Sequence, residues 1–193
     1  MEEKIKDCMF RINNLVPKKI CNELIYLFEN NKKYTYSHGS YKFKTDKFEL
    51  DNFSCINLSK LVEIDKSFKE PFDIVARYIS IMITNYVLHI KKNICPSFNN
   101  FHIKRTNNIR ILKYEKNQYI KDHSDVDPTI RASCTLNLNE DYEGGEFRFF
   151  DGKIKQSFKT GDSILFPAEP IWIHGTEKIT KGIRYSINCF LQE

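Results

Sequence analysis

From about residue 101 onward, short runs rich in Ile, Val, Phe, Tyr and Thr are cut by turn signals roughly every ten residues, the pattern of an all-β sandwich or barrel. The candidate strands are NIRILKYE (108–115), QYIKDHS (118–124), RASCTLNLN (131–139), GGEFRFF (144–150), KIKQSF (153–158), DSILFP (162–167), IWIHGTEK (171–178) and GIRYSINCFL (182–191). DPTI, NEDYEGG, DGK, KTGD and PAEP punctuate them, each carrying the Gly, Pro, Asn or Asp that tight turns require. Eight such strands suit a double-sheet jelly roll, also called a double-stranded β-helix.

The first half has a different texture. From Pro17, Ile20, Leu24, Leu27 and Phe28 recur at helical spacing, with Pro17 suited to a first turn. A second helix is expected near Pro71. There Ile74, Tyr78, Met82, Tyr86 and Ile90 recur every four residues, with Val75, Ile79, Ile83 and Val87 beside them. That is a broad apolar stripe fit to cover a sheet. Residues 34–70 read as irregular or weakly strand-like, with Gly39 in YSHGSYKFK as a candidate hinge in a mobile loop. With no linker and no repeat, we expect one domain over 1–193, mainly β with N-terminal helices (α+β). A helical support region (1–100) would buttress a jelly-roll core (101–193).

The 193 residues suffice for a real core without staples. The formal charge of +5 is spread along the chain without a run of five basic residues, which argues for a solvated surface and against a nucleic-acid track. Cys8, Cys21, Cys55, Cys95, Cys134 and Cys189 form no CxxC pair. The opening MEEKIKDCMF has no apolar signal region, and the most apolar stretch, DIVARYISIMITNYVLHI, carries Arg77, Asn85 and His89. A soluble, intracellular, reduced protein without membrane attachment is expected.

His123 and Asp125 stand two apart, so on a strand they share a face. His174, in the seventh candidate strand, can return beside the second in a jelly roll. Two imidazoles and a carboxylate occupy one face of a six-coordinate metal and leave three positions open, the arrangement of non-haem Fe(II) sites. Zinc accepts the same ligands. His38, His89 and His102 have no partner pattern and read as structural or solvated. Arg184 and Ser186, ten and twelve residues after His174, share a face of the last strand. An arginine fork beside a hydroxyl suits a carboxylate.

Together, these residues make 109–192 resemble the catalytic core of the Fe(II)- and 2-oxoglutarate-dependent dioxygenases, in particular the prolyl 4-hydroxylase-like branch. ILKYEKNQYIKDHSD resembles the family's tyrosine-bearing first strand and its approach to HxD. TLNLNEDYEGGEFRF resembles its strand, acidic turn and Gly-Gly-Glu strand, and GDSILFP precedes the distal histidine. The resemblance implies His123, Asp125 and His174 as iron ligands, and Arg184 with Ser186 at the 5-carboxylate of 2-oxoglutarate. It places Tyr114 near that cosubstrate. Asn137 stands where relatives often have a tyrosine reaching the 5-carboxylate, and Phe190 roughly where tryptophan is common.

The resemblance implies oxidative decarboxylation of 2-oxoglutarate with O₂, hydroxylation of a substrate C–H bond, and ascorbate as an optional cofactor. Asp125, where related halogenases have Ala or Gly, favours hydroxylation. A prolyl or other side chain of a peptide or protein is the expected substrate, with YSHGSYKFK and DVDPTIR as candidate closing loops. A small-molecule hydroxylase and a non-catalytic metal- or partner-binding member are the alternatives. AlkB-type nucleic-acid demethylases carry a second arginine six residues after the first, and here that residue is Phe190.

Overall fold

A computed structural model describes residues 5–42, 47–98, 103 and 105–192. Its frame is a seven-stranded sheet formed by strands from both halves of the chain. In chain order these are β1 (Phe10–Ile12), β2 (Tyr36–Lys42), β3 (Lys47–Asn57), β4 (Arg105–Tyr114), β5 (Ile130–Asn137), β9 (Ser163–Pro167) and β12 (Arg184–Gln192), arranged β1-β9-β5-β12-β4-β3-β2. Facing it are a three-stranded sheet, β10-β7-β8, and a two-stranded one, β11-β6. They use β6 (Glu143–Gly144), β7 (Phe147–Phe149), β8 (Ile154–Gln156), β10 (His174–Thr176) and β11 (Ile179–Lys181). The fold is a jelly roll with helices on the outer face of the large sheet.

The strand period decides which residues meet which layer. On β4, Ile109 and Ile111 face the helices, as do Ile187, Cys189 and Leu191 on β12 and Cys134 and Leu136 on β5. The helices meeting them are α1 (Lys18–Asn30), which buries Cys21, Leu24 and Phe28, and α3 (Lys69–Asn93), which buries Val75, Ile79, Met82, Tyr86 and Ile90. A short α2 (Leu58–Ile64) lies between, its first turn capped by the Asn57 side chain, which accepts from Lys60 N–H. Pro17 caps α1 in extended conformation (φ −57°, ψ 141°). A second cluster, Phe147, Phe149, Phe158, Ile164, Phe166 and Trp172, fills the space between the sheets. Among the described residues no helix is long and apolar enough to cross a membrane.

The structure departs from the sequence pattern in the N-terminal region. Residues 36–57 form the β2–β3 hairpin, and β3 pairs with β4 (Ile56 with Ile111, Asn57 with Arg110). Sheet pairing therefore crosses the border expected at residue 100. Gly39 is paired with Leu50 in that hairpin rather than placed in a loop, whereas Phe43 and Lys44 of the same segment lie outside the described residues. The hairpin reads poorly in sequence because charged and polar residues interrupt its alternation.

QYIKDHS is extended but not a regular strand. The Ile120 N–H donates to the Thr176 side chain (2.9 Å) while Ile120 O accepts from Thr176 N–H (3.0 Å), so a hydroxyl intrudes into the ladder. A single bridge between His123 and His174 survives beyond it. Gly175 makes this close approach feasible: a Cβ there would stand 2.7 Å from Asp122 Oδ1 and 2.8 Å from Ile120 O. GGEFRFF divides into β6 and β7 because Gly144 and Gly145 take φ of +79° and +72° and turn the chain.

Candidate metal centre

His123 and His174 exchange both backbone hydrogen bonds (2.9 and 2.8 Å), which sets their rings 4.3 Å apart between centroids. Each Nδ1 lies 2.9 Å from a backbone carbonyl, that of Lys121 for His123 and that of Trp172 for His174. A carbonyl only accepts, so a neutral ring carries its proton on Nδ1 and presents the Nε2 lone pair on the other side. Both Nε2 atoms point at Asp125, at 3.2 Å from Oδ1 and 3.3 Å from Oδ2. Facing lone pairs of this kind repel one another unless a cation sits among them.

The three ligand atoms lie within 4.8 Å of one another. Ser133 on β5 fixes the carboxylate by donating to Asp125 Oδ2 at 2.5 Å. Burial opposes ionisation of Asp125; with the metal absent, protonated imidazoles, His174 foremost, would donate to it, outweigh burial and hold the carboxyl well below its usual range. Phe147 stacks on His174 (5.5 Å, 9° between planes). This donor set fits a divalent ion of the Fe(II) class, with imidazole and carboxylate on one side and open space on the other.

That space is a cavity of about 280 Å³ between the sheets. The even-numbered residues of β4 and β12 line it: Arg110, Leu112 and Tyr114 on one strand, Arg184, Ser186, Asn188 and Phe190 on the other. Register places Arg184 opposite Tyr114, and Ser186 opposite both Leu112 and Asn137. Arg184 is 1% exposed. Its guanidinium lies 5.4 Å from the centre of the Tyr114 ring, its Nε donates to Asn137 Oδ1 at 3.2 Å, and its buried Nη2 meets no acceptor. No carboxylate pairs with it among the described residues. A guanidinium buried in this way is costly unless an anion joins it.

Of the residues singled out in the sequence, His123, Asp125, His174, Arg184, Ser186, Tyr114 and Phe190 converge on this cavity. Asn137 does not line it. Its amide nitrogen donates to the carbonyls of Asn139 (2.6 Å) and Lys159 (3.3 Å), and its oxygen accepts from Arg184 and from the Tyr142 hydroxyl (3.2 Å). It therefore holds the arginine and cannot donate to a bound carboxylate. His89 is bound to the Asp7 carbonyl and Asn93, far from the cavity. His102 lies outside the described residues, as does the side chain of His38. DVDPTIR forms a turn in which Asp127 accepts from Thr129 N–H and Oγ1, with Val126 52% exposed at the cavity rim.

Sequence reasoning missed Ser133 and Arg110. A signal existed: Ser133 and Thr135 on β5, like Arg184, Ser186 and Asn188 on β12, alternate with apolar residues in strands that are otherwise core. Polar residues at period two, facing inward, mark the wall of a polar cavity.

Fold and site together define a jelly-roll protein with a two-histidine, one-carboxylate cluster between its sheets. Residues 109–192 match the family model described as the 2OG-Fe(II) oxygenase superfamily. The match covers less than half of the chain, and over this part the chain is similar to that superfamily. A PKHD-type hydroxylase of Synechococcus sp. (strain JA-2-3B'a(2-13)) is 35% identical over 65 residues, 33% of this chain and 28% of the relative; the chain thus spans under a third of that protein's length. A solved prolyl hydroxylase from Trichoplax adhaerens, in complex with a hypoxia inducible factor peptide fragment, is similar in fold. Its TM-score is 0.70 at 13% identity, covering 99% of this chain and 86% of that one. A Pseudomonas putida prolyl-4-hydroxylase is also similar, with TM-score 0.65, 15% identity, and 96% and 93% coverage.

Proposed function

We propose that the chain is an Fe(II)- and 2-oxoglutarate-dependent dioxygenase that hydroxylates a C–H bond, with a prolyl or other side chain of a peptide or protein as substrate. The observation that carries this reading is Arg184. A buried guanidinium with an unsatisfied Nη2 shares one cavity with three converging metal-ligand atoms. It is a ready partner for the far carboxylate of a dicarboxylate whose other end reaches the metal.

In this reading His123, Asp125 and His174 hold the metal. Arg184 and Ser186 receive the 5-carboxylate, Tyr114 supports the guanidinium from below, and Asn137 orients it. When bound, the Fe(II)–2-oxoglutarate pair supplies oxidative decarboxylation and hydroxyl transfer; ascorbate would serve as reductant. The protein's own part is to hold cosubstrate and target together and exclude water. Leu112, Phe147 and Phe166 give the cavity the apolar wall this needs. The peptide substrate is supported by the fold shared with prolyl hydroxylases, one of them solved with a bound peptide.

The test is an anaerobic titration of apo-protein with Fe(II) and then 2-oxoglutarate, following the visible charge-transfer band of a chelated 2-oxo acid. A saturable band is expected, absent in His123→Ala and shifted to much higher cosubstrate concentration in Arg184→Ala. Folded, iron-loaded protein giving no band would defeat the reading.

A further inference from the structure

Arg110 is the second guanidinium in the cavity, and no protein carboxylate neutralises it among the described residues. It is 5% exposed. Its Nε donates to Asn188 Oδ1 at 3.0 Å, and its guanidinium carbon lies 5.1 Å over the Phe190 ring. These contacts fix the plane of the fork, and neither Nη atom is hydrogen-bonded to a side chain or carbonyl among the described residues. The two acids on the cavity wall are otherwise engaged. Asp125 is held by Ser133 and faces the two imidazoles, and Asp127 accepts from Thr129.

Register locates Arg110 along the cavity. It stands opposite Asn188, and Asn188 opposite Thr135, one same-face step from the level of Phe190 and Ser133, where Asp125 is anchored. Tyr114 and Arg184 lie two same-face steps the other way, about 13 Å at roughly 3.3 Å per residue. Arg110 therefore belongs to the metal end, not the end where Arg184 waits. The charges point the same way. A divalent metal, the Asp125 carboxylate, Arg184 and a dianionic cosubstrate sum to neutrality, which leaves Arg110, buried, and Asp127, exposed at the rim and turned to Thr129, as the remaining charges of the cavity, with no ion pair between them among the described residues.

We propose that Arg110 is a specificity-determining residue that binds a carboxylate of the substrate close to the carbon that reacts. The carboxylate is either the α-carboxylate of a free proline-type imino acid or an acidic side chain next to a target proline in a peptide. The inference rests on the reading of the site given above. It adds to it the chemical class of the substrate, since a fork held planar by Asn188 and Phe190 suits bidentate capture of a planar anion.

The test is calorimetric, on Mn(II)-loaded protein without turnover. The protein is saturated first with 2-oxoglutarate and then titrated with L-proline against L-prolinamide, and with acetyl-Asp-Pro-amide against acetyl-Asn-Pro-amide. In at least one pair the carboxylate member is expected to bind tenfold or more tightly. Arg110→Gln should remove that ratio, Arg110→Lys should keep part of it, and both should leave 2-oxoglutarate affinity within about twofold. The pair that shows the ratio identifies the source of the carboxylate. The proposal is overturned if neither carboxylate probe binds, if the ratio survives in Arg110→Gln, or if that variant weakens 2-oxoglutarate itself tenfold, which would assign Arg110 to the cosubstrate. Failure of the wild-type protein to bind 2-oxoglutarate would strike the underlying reading, and this inference with it.

Discussion

Asn137 Oδ1 accepts from Arg184 Nε at 3.2 Å, and this amide is the one hydrogen-bond partner the buried guanidinium has among the described residues. A carboxamide orients the fork without cancelling its charge. A carboxylate at the same place would do both and close the site to an incoming anion. Asn137 can play this part because its own amide nitrogen is fixed by the carbonyls of Asn139 and Lys159.

The first prediction concerns the cost of keeping Arg184 ready. Arg184→Met removes a buried, unpaired charge and keeps similar bulk, so the ligand-free variant should melt at or above the wild-type temperature. Its 2-oxoglutarate affinity should fall by about 10- to 100-fold, since hydrogen bonds to charged groups contribute about 1.5–3 kcal/mol. Differential scanning fluorimetry with and without 2-oxoglutarate reads both. A ligand-free variant several degrees less stable than wild type would mean that Arg184 is chiefly structural.

Ser133 is expected to tune the metal through Asp125. Removing its hydroxyl with Ser133→Ala frees one carboxylate oxygen from a 2.5 Å hydrogen bond. Partners of metal ligands typically matter at the level of about 10–100-fold in metal affinity. Competition with a metal-indicator dye measures this directly, and unchanged affinity would rule out the role. The variant should fold normally, because Ser133 faces the cavity and not the helix-side core.

Metal binding should also stabilise the fold. An ion bound by His123, Asp125 and His174 ties the irregular 118–125 segment to β10, which the backbone joins through the His123–His174 bridge and the Thr176 N–H to Ile120 O hydrogen bond. At about 100 times its dissociation constant, a ligand specific to the native state adds about 2.7 kcal/mol. Mn(II) should therefore raise the melting temperature and a chelator should reverse it. Neither should move the melting of His174→Ala.

The His123–Asp125 and Arg184–Ser186 pairs were legible in sequence because each is local, whereas His174 joins the first pair only through the expected return of its strand. His123 and Asp125 sit two apart, as do Arg184 and Ser186, and a spacing of two fixes a shared face whatever the rest of the fold does. The helices were legible for a similar reason, their apolar residues recurring at helical period. Arg110, Ser133 and the true contacts of Asn137 were not, because each depends on register between strands distant in the chain. Arg110 meets Asn188 across β4 and β12, 78 residues apart. The β2–β3 hairpin stayed hidden because charged residues break its alternation, and only pairing with β4 gives it a place.

The last prediction is a pH dependence on the helix side of β12, away from the metal. Glu29 on α1 accepts from the Tyr185 hydroxyl at 2.6 Å and pairs with Lys113 (3.0 Å) and Lys32 (2.9 Å). Burial pushes its carboxyl upward, but the Tyr185 hydroxyl and the two ammonium groups outweigh this and hold it down at about 2, against an ordinary 4.5. A folded-state value below the unfolded one means that the ionised group's stabilisation is complete above about pH 4.5. It is lost progressively as pH falls toward 2. Glu29→Gln keeps the shape and an acceptor for Tyr185 but has no proton to gain. The variant should melt below wild type at pH 7, and the gap should narrow steadily below pH 4.5 as the wild-type carboxyl protonates. Melting curves of both proteins from pH 7 to about 2.5 decide it. A gap constant across that range would show that the charge on Glu29 does not help to hold α1 against the sheet.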